Sequence, residues 1–187
     1  MFNLDFIFKP KSIAIVGASA EVGSVGNGLV KNVLQTFSGP TYLINLKAKK
    51  INGQKCYPNL SKKKKKIDLV IIAVPAKVVP DVLNEAGSLG VKGAIVISAG
   101  FKEAGNLDLE EKIKEIANRY NITLVGPNCL GIINPVSSLN ASFAAVNPKS
   151  GSVAFVSQSG ALCTGVLDLA EKLGIGLGKI KKIFEEN

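Results

Sequence analysis

The chain has 187 residues, of which 47% are hydrophobic and 20% charged, a composition that predicts one folded domain with an appendage and excludes a disordered chain. Its formal net charge of +9 comes almost wholly from lysine, since Arg119 is the only arginine, and this charge suits a ligand with several phosphates. There is no histidine, and the three cysteines form no CxxC pair, which excludes histidine catalysis within this chain and predicts neither a metal site nor a disulfide framework.

Short runs rich in valine and isoleucine alternate along the chain with segments of helical spacing. Buried parallel strands are predicted at residues 12–16, 41–44, 68–74, 93–98 and 123–125. Helices are predicted at 28–36, 78–89 and 109–120. Such alternation is typical of βαβ units in an open, doubly wound parallel sheet of the α/β class. Ligands of these sheets bind beyond the carboxyl ends of the strands.

A glycine-rich loop, GASAEVGSVGNG, follows the first predicted strand and leads into the first helix. Glycine lets a backbone approach a phosphate closely, and the N–H groups that open a helix attract an anion. The spacing departs from the dinucleotide fingerprint GxGxxG, because five residues separate Gly17 from Gly23. For the loop considered alone, a structural turn without a ligand stays an alternative.

The end of the second strand separates the candidate ligands. An NAD site places an acidic residue there to bind the ribose hydroxyls. This chain has Asn45, Leu46 and Lys47, followed by Lys49 and Lys50. A cation suits a phosphorylated ribose, so the candidates are NADP and coenzyme A, with a solvated lysine turn as the alternative.

The last three predicted strands end in turn-forming residues. Pro75 stops the third strand, and Gly100 permits a sharp exit from the fourth. The segment Gly126-Pro127-Asn128-Cys129-Leu130-Gly131 after the fifth strand supplies a rigid turn with one amide side chain. Each of these ends predicts either a ligand contact or plain loop structure.

A second unit is predicted from residue 151 onward. A loop rich in proline, asparagine and serine spans residues 134–150, and a strand at 152–156, a turn at 157–160 and a helix at 161–173 follow. One strand and one helix cannot bury a core of their own. We therefore expect this part either to pack on the first domain, residues 1–150, or to open a second domain of which residues 151–187 are an incomplete start.

Neither nucleic acid nor a membrane is predicted as a partner. The lysine cluster at residues 62–66 lacks the arginines and aromatic residues of nucleic-acid readers, and is interpreted as a solvated turn. The longest apolar run, near Leu69 to Ala76, is far shorter than the roughly 20 residues of a membrane span. Since the first ten residues also lack a signal-peptide pattern, the expected location is the cytoplasm.

Six strings of the chain resemble a known family when taken together. They are IAIVGASAEVGSVG, INLKAK, VIIAVPA, VISAGF, LVGPNCLGIINP and VSQSGAL. Their order and spacing are similar to those of the CoA-binding region of ADP-forming acetyl-CoA synthetases, which are relatives of the succinyl-CoA synthetase alpha subunit. The resemblance runs from about residue 6 to about residue 176. It implies a Rossmann-like domain followed by the start of a second, flavodoxin-like domain.

The resemblance also implies a set of coenzyme A-binding residues at the strand ends. From the phosphates through the nucleotide end and the adenine or pantetheine path to the thiol end, these are Gly17, Ser19, Gly23, Gly26, Asn45, Lys47, Val74, Pro75, Ser98, Ala99, Gly100 and Asn128. In the family, the helix after the SQSG turn helps to hold the phosphate of a phosphohistidine, which here makes Ser157, Ser159 and Gly160 candidates for a phosphate loop. A serine N-cap on a structural helix is the alternative for this turn.

The implied function is that of the CoA-binding part of an acyl-CoA synthetase. With partner domains that include an ATP-grasp subunit or domain, it forms a thioester from acid, CoA and ATP. The chain departs from the family at Leu46, where relatives often have proline, and beyond Lys179. Because the phosphorylated histidine is absent, no catalytic residue is assigned and no turnover is expected from this chain alone. Two alternative functions remain, an NADP-dependent oxidoreductase and a non-enzymatic CoA-binding or sensing module. A homo-oligomer is a further possible assembly.

Overall fold

The computed structural model describes residues 4–62, 66–157 and 159–182 of the chain. Its strands are β1 (Ile13–Val16), β2 (Thr41–Ile44), β3 (Lys50–Ile51), β4 (Gln54–Tyr57), β5 (Leu69–Ile72), β6 (Gly93–Val96), β7 (Thr123–Val125), β8 (Gly131–Asn134), β9 (Leu139–Ser142), β10 (Ser150–Ser157) and β11 (Leu177–Lys182). Its α-helices are α1 (Asp5–Phe8), α2 (Val25–Thr36), α3 (Val79–Ser88), α4 (Leu107–Tyr120) and α5 (Gly160–Leu173).

Within the described residues, the larger sheet has seven strands in the order β3-β4-β2-β1-β5-β6-β7. All neighbours are parallel except the hairpin β3–β4. The prediction of an open, doubly wound α/β sheet is therefore confirmed, and all five predicted strands belong to this sheet. The hairpin is absent from the prediction because its exposed lysines, such as Lys50 and Lys55, give no apolar pattern and suit the edge of a sheet.

Alternate residues of the central strands face two separate cores. Val70 and Ile72 of β5 pack with α3 and α4, whereas Leu69 and Ile71 face α1 and α2 on the other side of the sheet. All four side chains are fully buried, and each contributes about 1.5–3 kcal/mol to stability. Helices cover both faces, so the carboxyl ends of the strands form the edge at which a ligand binds.

The three predicted helices are present, and two of them begin earlier than predicted. Helix α2 begins at Val25 rather than residue 28, because the hydroxyl of Ser24 caps it by accepting a hydrogen bond from the Asn27 N–H at 3.2 Å. Gly26 and Gly28 obscure this start in the sequence, since glycine disfavours helices. No helix within the described ranges combines the length and the apolar character that crossing a membrane requires.

A smaller sheet has the order β10-β11-β8-β9 in the described part of the chain. Strands β8 and β9 form an antiparallel hairpin, β11 lies antiparallel to β8, and β10 lies parallel to β11. Strand β9 corrects the prediction of a loop at residues 134–150, because Leu139–Ser142 is a fully buried strand. The polar residues of this strand give no strand pattern in the sequence. In the structure they form hydrogen bonds with each other, as the Ser142 hydroxyl donates to Asn140 Oδ1 at 2.6 Å.

The predicted strand and helix of the tail are present as β10 and α5. Cys163 and Leu167 of α5 pack against Leu130 and Ile133 in a third core, so the tail shares apolar contacts with the hairpin β8–β9. The division of the chain at residue 150 stays a prediction. The departure from the family that is predicted beyond Lys179 stays a prediction, and residues 183–187 lie outside the described residues.

Candidate functional site

A cleft of about 530 Å³ opens at the carboxyl ends of β5, β6 and β7, between the first turns of α2 and α5. The predicted site residues that line it are Val74, Ser98, Ala99, Asn128 and Gly160. No lysine, arginine, aspartate or glutamate of the described ranges is among its lining residues. The cleft therefore suits an uncharged portion of a ligand.

Hydrogen bonds between neighbouring strand ends fix the floor of the cleft. The Ser98 hydroxyl accepts a hydrogen bond from the Val74 N–H at 3.2 Å and donates to the Ile72 carbonyl at 3.5 Å. The Asn128 N–H donates to the Ser98 carbonyl at 2.9 Å. Ser98 thus joins β5, β6 and the segment after β7, which prepares a rigid surface for a ligand.

Two of the predicted loop glycines have a packing role. Gly17 has φ +91°, and a Cβ there would overlap the Ala73 carbonyl oxygen. A Cβ on Gly26 would overlap the carbonyl oxygen of Gly17. These glycines allow the exit of β1 to lie against both the end of β5 and the first turn of α2. Gly23, with φ +86°, differs, because no atom of the described residues beyond its chain neighbours lies within 4 Å of the position that a Cβ would take.

The first turn of α2 is held at the edge of the cleft. The Asn27 side chain donates to the Ser19 carbonyl at 3.2 Å, and the Ser19 hydroxyl accepts from the Glu21 N–H at 3.0 Å. Val25, the first residue of the helix, lines the cleft. The first N–H groups of a helix have no partner within it and carry partial positive charge. Since the Asn27 and Gly28 N–H groups donate to Ser24, the donors that this turn offers an anion beside the apolar cleft are those of Val25 and Gly26.

The structure places Asn45 between two loops. Its side-chain nitrogen donates to the Ala18 carbonyl at 2.8 Å, and its Oδ1 accepts from the N–H groups of Lys47 and Ala48, both at 2.8 Å. Asn45 thereby ties the end of β1 to the turn after β2. The Lys47 side chain is exposed on this turn, outside the lining of the cleft.

Pro75 and Gly100 lie outside the lining of the cleft. Pro75 is exposed and precedes a short 3₁₀ helix at Ala76–Val78. The N–H of Gly100 donates to Glu103 Oε1 at 2.5 Å, and its carbonyl accepts from the Asn106 side chain at 2.9 Å. Both residues therefore shape the loops around the cleft.

The predicted phosphate loop reaches the cleft only through Gly160. Ser159 caps α5, since its hydroxyl accepts a hydrogen bond from the Leu162 N–H at 3.2 Å. The Ser157 hydroxyl accepts from the Ser159 N–H at 3.0 Å. Gln158 lies outside the described residues. The serine N-cap is thus present, and the anion-binding role of this turn stays a prediction.

Several apolar residues of the cleft are absent from the predicted site, among them Val25 and Phe143. Val25 precedes the predicted start of its helix, and Phe143 falls in the segment predicted as a loop. A Cβ on Gly28 of α2 would lie 3.3 Å from the Phe143 Cβ, so the helix and the end of β9 are in close contact. A long-range contact of this kind leaves no local pattern in the sequence.

The sheet edge offers a site for an anion beside an apolar cleft. This combination fits coenzyme A, which joins a phosphorylated nucleotide to a long neutral arm. The first turn of α2 offers backbone donors for phosphates, and exposed lysines at residues 47, 49 and 50 follow the neighbouring strand β2. The apolar cleft at β5 and β6 offers a surface for the neutral arm. Since β2, β1, β5 and β6 are consecutive in the sheet, the charged and apolar environments adjoin each other.

Comparison with known proteins identifies close relatives. The ADP-forming acetate–CoA ligase of Methanocaldococcus jannaschii is 52% identical over 182 residues, covering 97% of this chain and 26% of that ligase. The alpha subunit of ADP-forming acetate–CoA ligase II of Pyrococcus furiosus is 40% identical over 178 residues, covering 94% of this chain and 39% of that subunit. The chain thus spans well under half the length of these relatives.

A solved structure is similar over nearly the whole chain. The dinucleotide-forming acetyl-coenzyme A synthetase 1 of Ca. Korarchaeum cryptofilum, in complex with phosphate and ADP, matches with a TM-score of 0.93 and 39% identity. The match covers 98% of this chain and 40% of that chain. The resemblance to ADP-forming acetyl-CoA synthetases and the Rossmann-like fold are therefore confirmed. Since residues 11–135 also match the CoA binding domain family, the chain belongs to that family and its ligand is coenzyme A.

Proposed function

We propose that this chain holds coenzyme A for an ADP-forming acyl-CoA synthetase that makes a thioester from an acid, CoA and ATP. The observation that carries this proposal is the first turn of α2, which presents backbone donors at the mouth of an apolar cleft. The two relatives compared above are acetate–CoA ligases, which supports acid–CoA ligation as the reaction of the complete enzyme.

In this proposal, the coenzyme lies across the carboxyl edge of the larger sheet. The pyrophosphate approaches Gly23 and the first turn of α2, and the Lys47 ammonium group meets the ribose phosphate. The pantetheine arm runs past Val74, and the thiol end lies near Ser98 and Asn128. Asn45 and Ser98 act through hydrogen bonds within the chain, by holding the loops in this arrangement.

The chain's contribution is to bind the coenzyme, orient its thiol and exclude water from the apolar cleft. The sequence contains no histidine to carry a phosphoryl group, so the phosphoryl carrier and the nucleotide site belong to partner segments, among them an ATP-grasp subunit or domain. Residues 151–187 begin the next domain in this proposal, which the parallel unit β10-α5-β11 supports. The chain alone then binds CoA without turnover.

The cytoplasm is the proposed location. Cys56, Cys129 and Cys163 are all buried, and none of them forms a disulfide within the described part of the chain, as is usual for proteins of reducing compartments. The proposed reaction uses CoA and ATP, and the use of both substrates is consistent with this location.

Calorimetric titration of the 187-residue chain with CoA, dephospho-CoA and NADP tests the proposed function. We expect CoA to bind most tightly, dephospho-CoA more weakly because it lacks the ribose phosphate, and NADP not to saturate the site. Thioester formation by the chain alone, from acid, ATP and CoA, would show that it carries the chemistry as well. Tight NADP binding without a response to CoA would replace the proposal by an oxidoreductase.

A further inference from the structure

Phe143 is the aromatic residue among those that line the cleft, and 39% of it is exposed. It follows β9 directly and shares the lining with the apolar residues Val25, Val74 and Leu130. The volume of the cleft, about 530 Å³, lies within the range of about 300–1,000 Å³ that is common for small-molecule sites. A bulky side chain in such a space limits the size of the group that enters it.

The backbone on both sides of Phe143 is clamped to helix α2. The Asn32 side-chain nitrogen donates to the carbonyls of Ser142 and Ala144, both at 2.8 Å. Asn32 is buried, and both bonds lie away from solvent, where their loss would leave unpaired carbonyls. Together with the close approach of Gly28, this clamp prevents the backbone at Phe143 from moving away to admit a larger ligand.

The polarity of the surroundings determines which part of the ligand meets Phe143. The backbone donors of α2 and the exposed lysines after β2 attract the phosphates, whereas no charged side chain of the described residues lines the cleft. The neutral arm of the coenzyme and the acyl group at its end therefore belong in the cleft. This step rests on the proposed function, in which the coenzyme lies across the same sheet edge.

We infer that Phe143 is a specificity-determining residue, which limits the length of the acyl group carried on the coenzyme. In the wild-type chain, the ring occupies the space into which a longer acyl chain would extend. Its removal leaves apolar surface from Val25, Val74 and Leu130, on which additional methylene groups are favourable. The class of ligand selected by the intact site is thus a short-chain acyl thioester of CoA.

Calorimetric titration of the whole chain with CoA, acetyl-CoA, butyryl-CoA and hexanoyl-CoA tests this inference. The measured quantity is the ratio of the affinity for each thioester to the affinity for CoA, in the wild type and in Phe143→Ala. We expect the ratio to fall with acyl length in the wild type. In the variant, the ratio should instead increase with acyl length, by up to fourfold for each added methylene group. This factor corresponds to about 0.8 kcal/mol per methylene.

Val136→Ala is the matched control, since Val136 lies on the same hairpin, is 66% exposed and does not line the cleft. It should keep the wild-type ratios. If Phe143→Ala does not fold, Phe143→Leu provides the test and should give intermediate ratios. Identical length profiles in the wild type and the folded variant would overturn the inference while leaving CoA binding intact. A wild-type chain that binds neither CoA nor its thioesters would instead overturn the proposed function.

Discussion

Replacing Gly17 with alanine tests whether this glycine serves the fold as well as the ligand. Its φ of +91° costs an alanine about 1–2 kcal/mol. The new methyl group would also overlap the Ala73 carbonyl and lie 3.2 Å from Val74 Cγ1, and such overpacking costs about 1–3 kcal/mol. The free energy of unfolding should therefore fall by about 2–5 kcal/mol, a large part of the 5–15 kcal/mol that is usual for a domain.

Urea unfolding followed by far-UV circular dichroism measures this loss. With a slope of about 2 kcal/mol per molar urea, the unfolding midpoint should fall by about 1–2.5 M. Gly23→Ala is the matched control, because Gly23 also has a positive φ but, among the described residues, only its chain neighbours lie within 4 Å of the Cβ position. That variant should lose about 1–2 kcal/mol from backbone strain alone. Equal midpoints for the two variants would refute the packing role of Gly17.

Other predictions concern binding and cysteine reactivity. The Gly23→Ala variant should remain folded, and calorimetry should show CoA binding about tenfold weaker than in the wild type. The reason is that the methyl group occupies the open face that the phosphates approach. An unchanged affinity would place the phosphates elsewhere. Lys47→Glu should weaken CoA more than dephospho-CoA, and added salt should reduce this difference; equal losses would argue against a contact with the ribose phosphate. Burial raises the pKa of the Cys56 thiol, and all three cysteines are buried, so a thiol reagent at pH 8 should react quickly only after unfolding; fast labelling of the native chain would contradict this burial.

The central sheet could be predicted because its strands are buried on both faces. Strand β5, with the sequence LVII, presents apolar residues to two cores and therefore appears as a continuous apolar run. Strand β9 has the sequence LNAS and is equally buried, but its polar side chains are satisfied by partners that are invisible in the sequence. The hairpin β8–β9 and its place beside α2 therefore required the structure.

The candidate site was predictable in location but not in the division of roles. Parallel strands bring their carboxyl ends to one edge, so Val74, Ser98 and Asn128 were expected to lie together, and all three line the cleft. Sequence alone did not distinguish a residue that faces the ligand from one that supports it. Asn45 has the polarity of a ligand contact, yet its side chain makes three hydrogen bonds to neighbouring loops.

Buried or half-buried asparagine side chains fix the loops at the carboxyl ends of the strands. Asn27 binds the glycine loop, Asn45 joins the first two strand ends, and Asn32 fixes the segment around Phe143. Each amide donates to a backbone carbonyl and so fixes the loop to which that carbonyl belongs. Anion recognition at α2 then depends on backbone N–H groups, which no side-chain substitution removes directly. Substitutions of these three asparagines should therefore act on binding through the position of the loops.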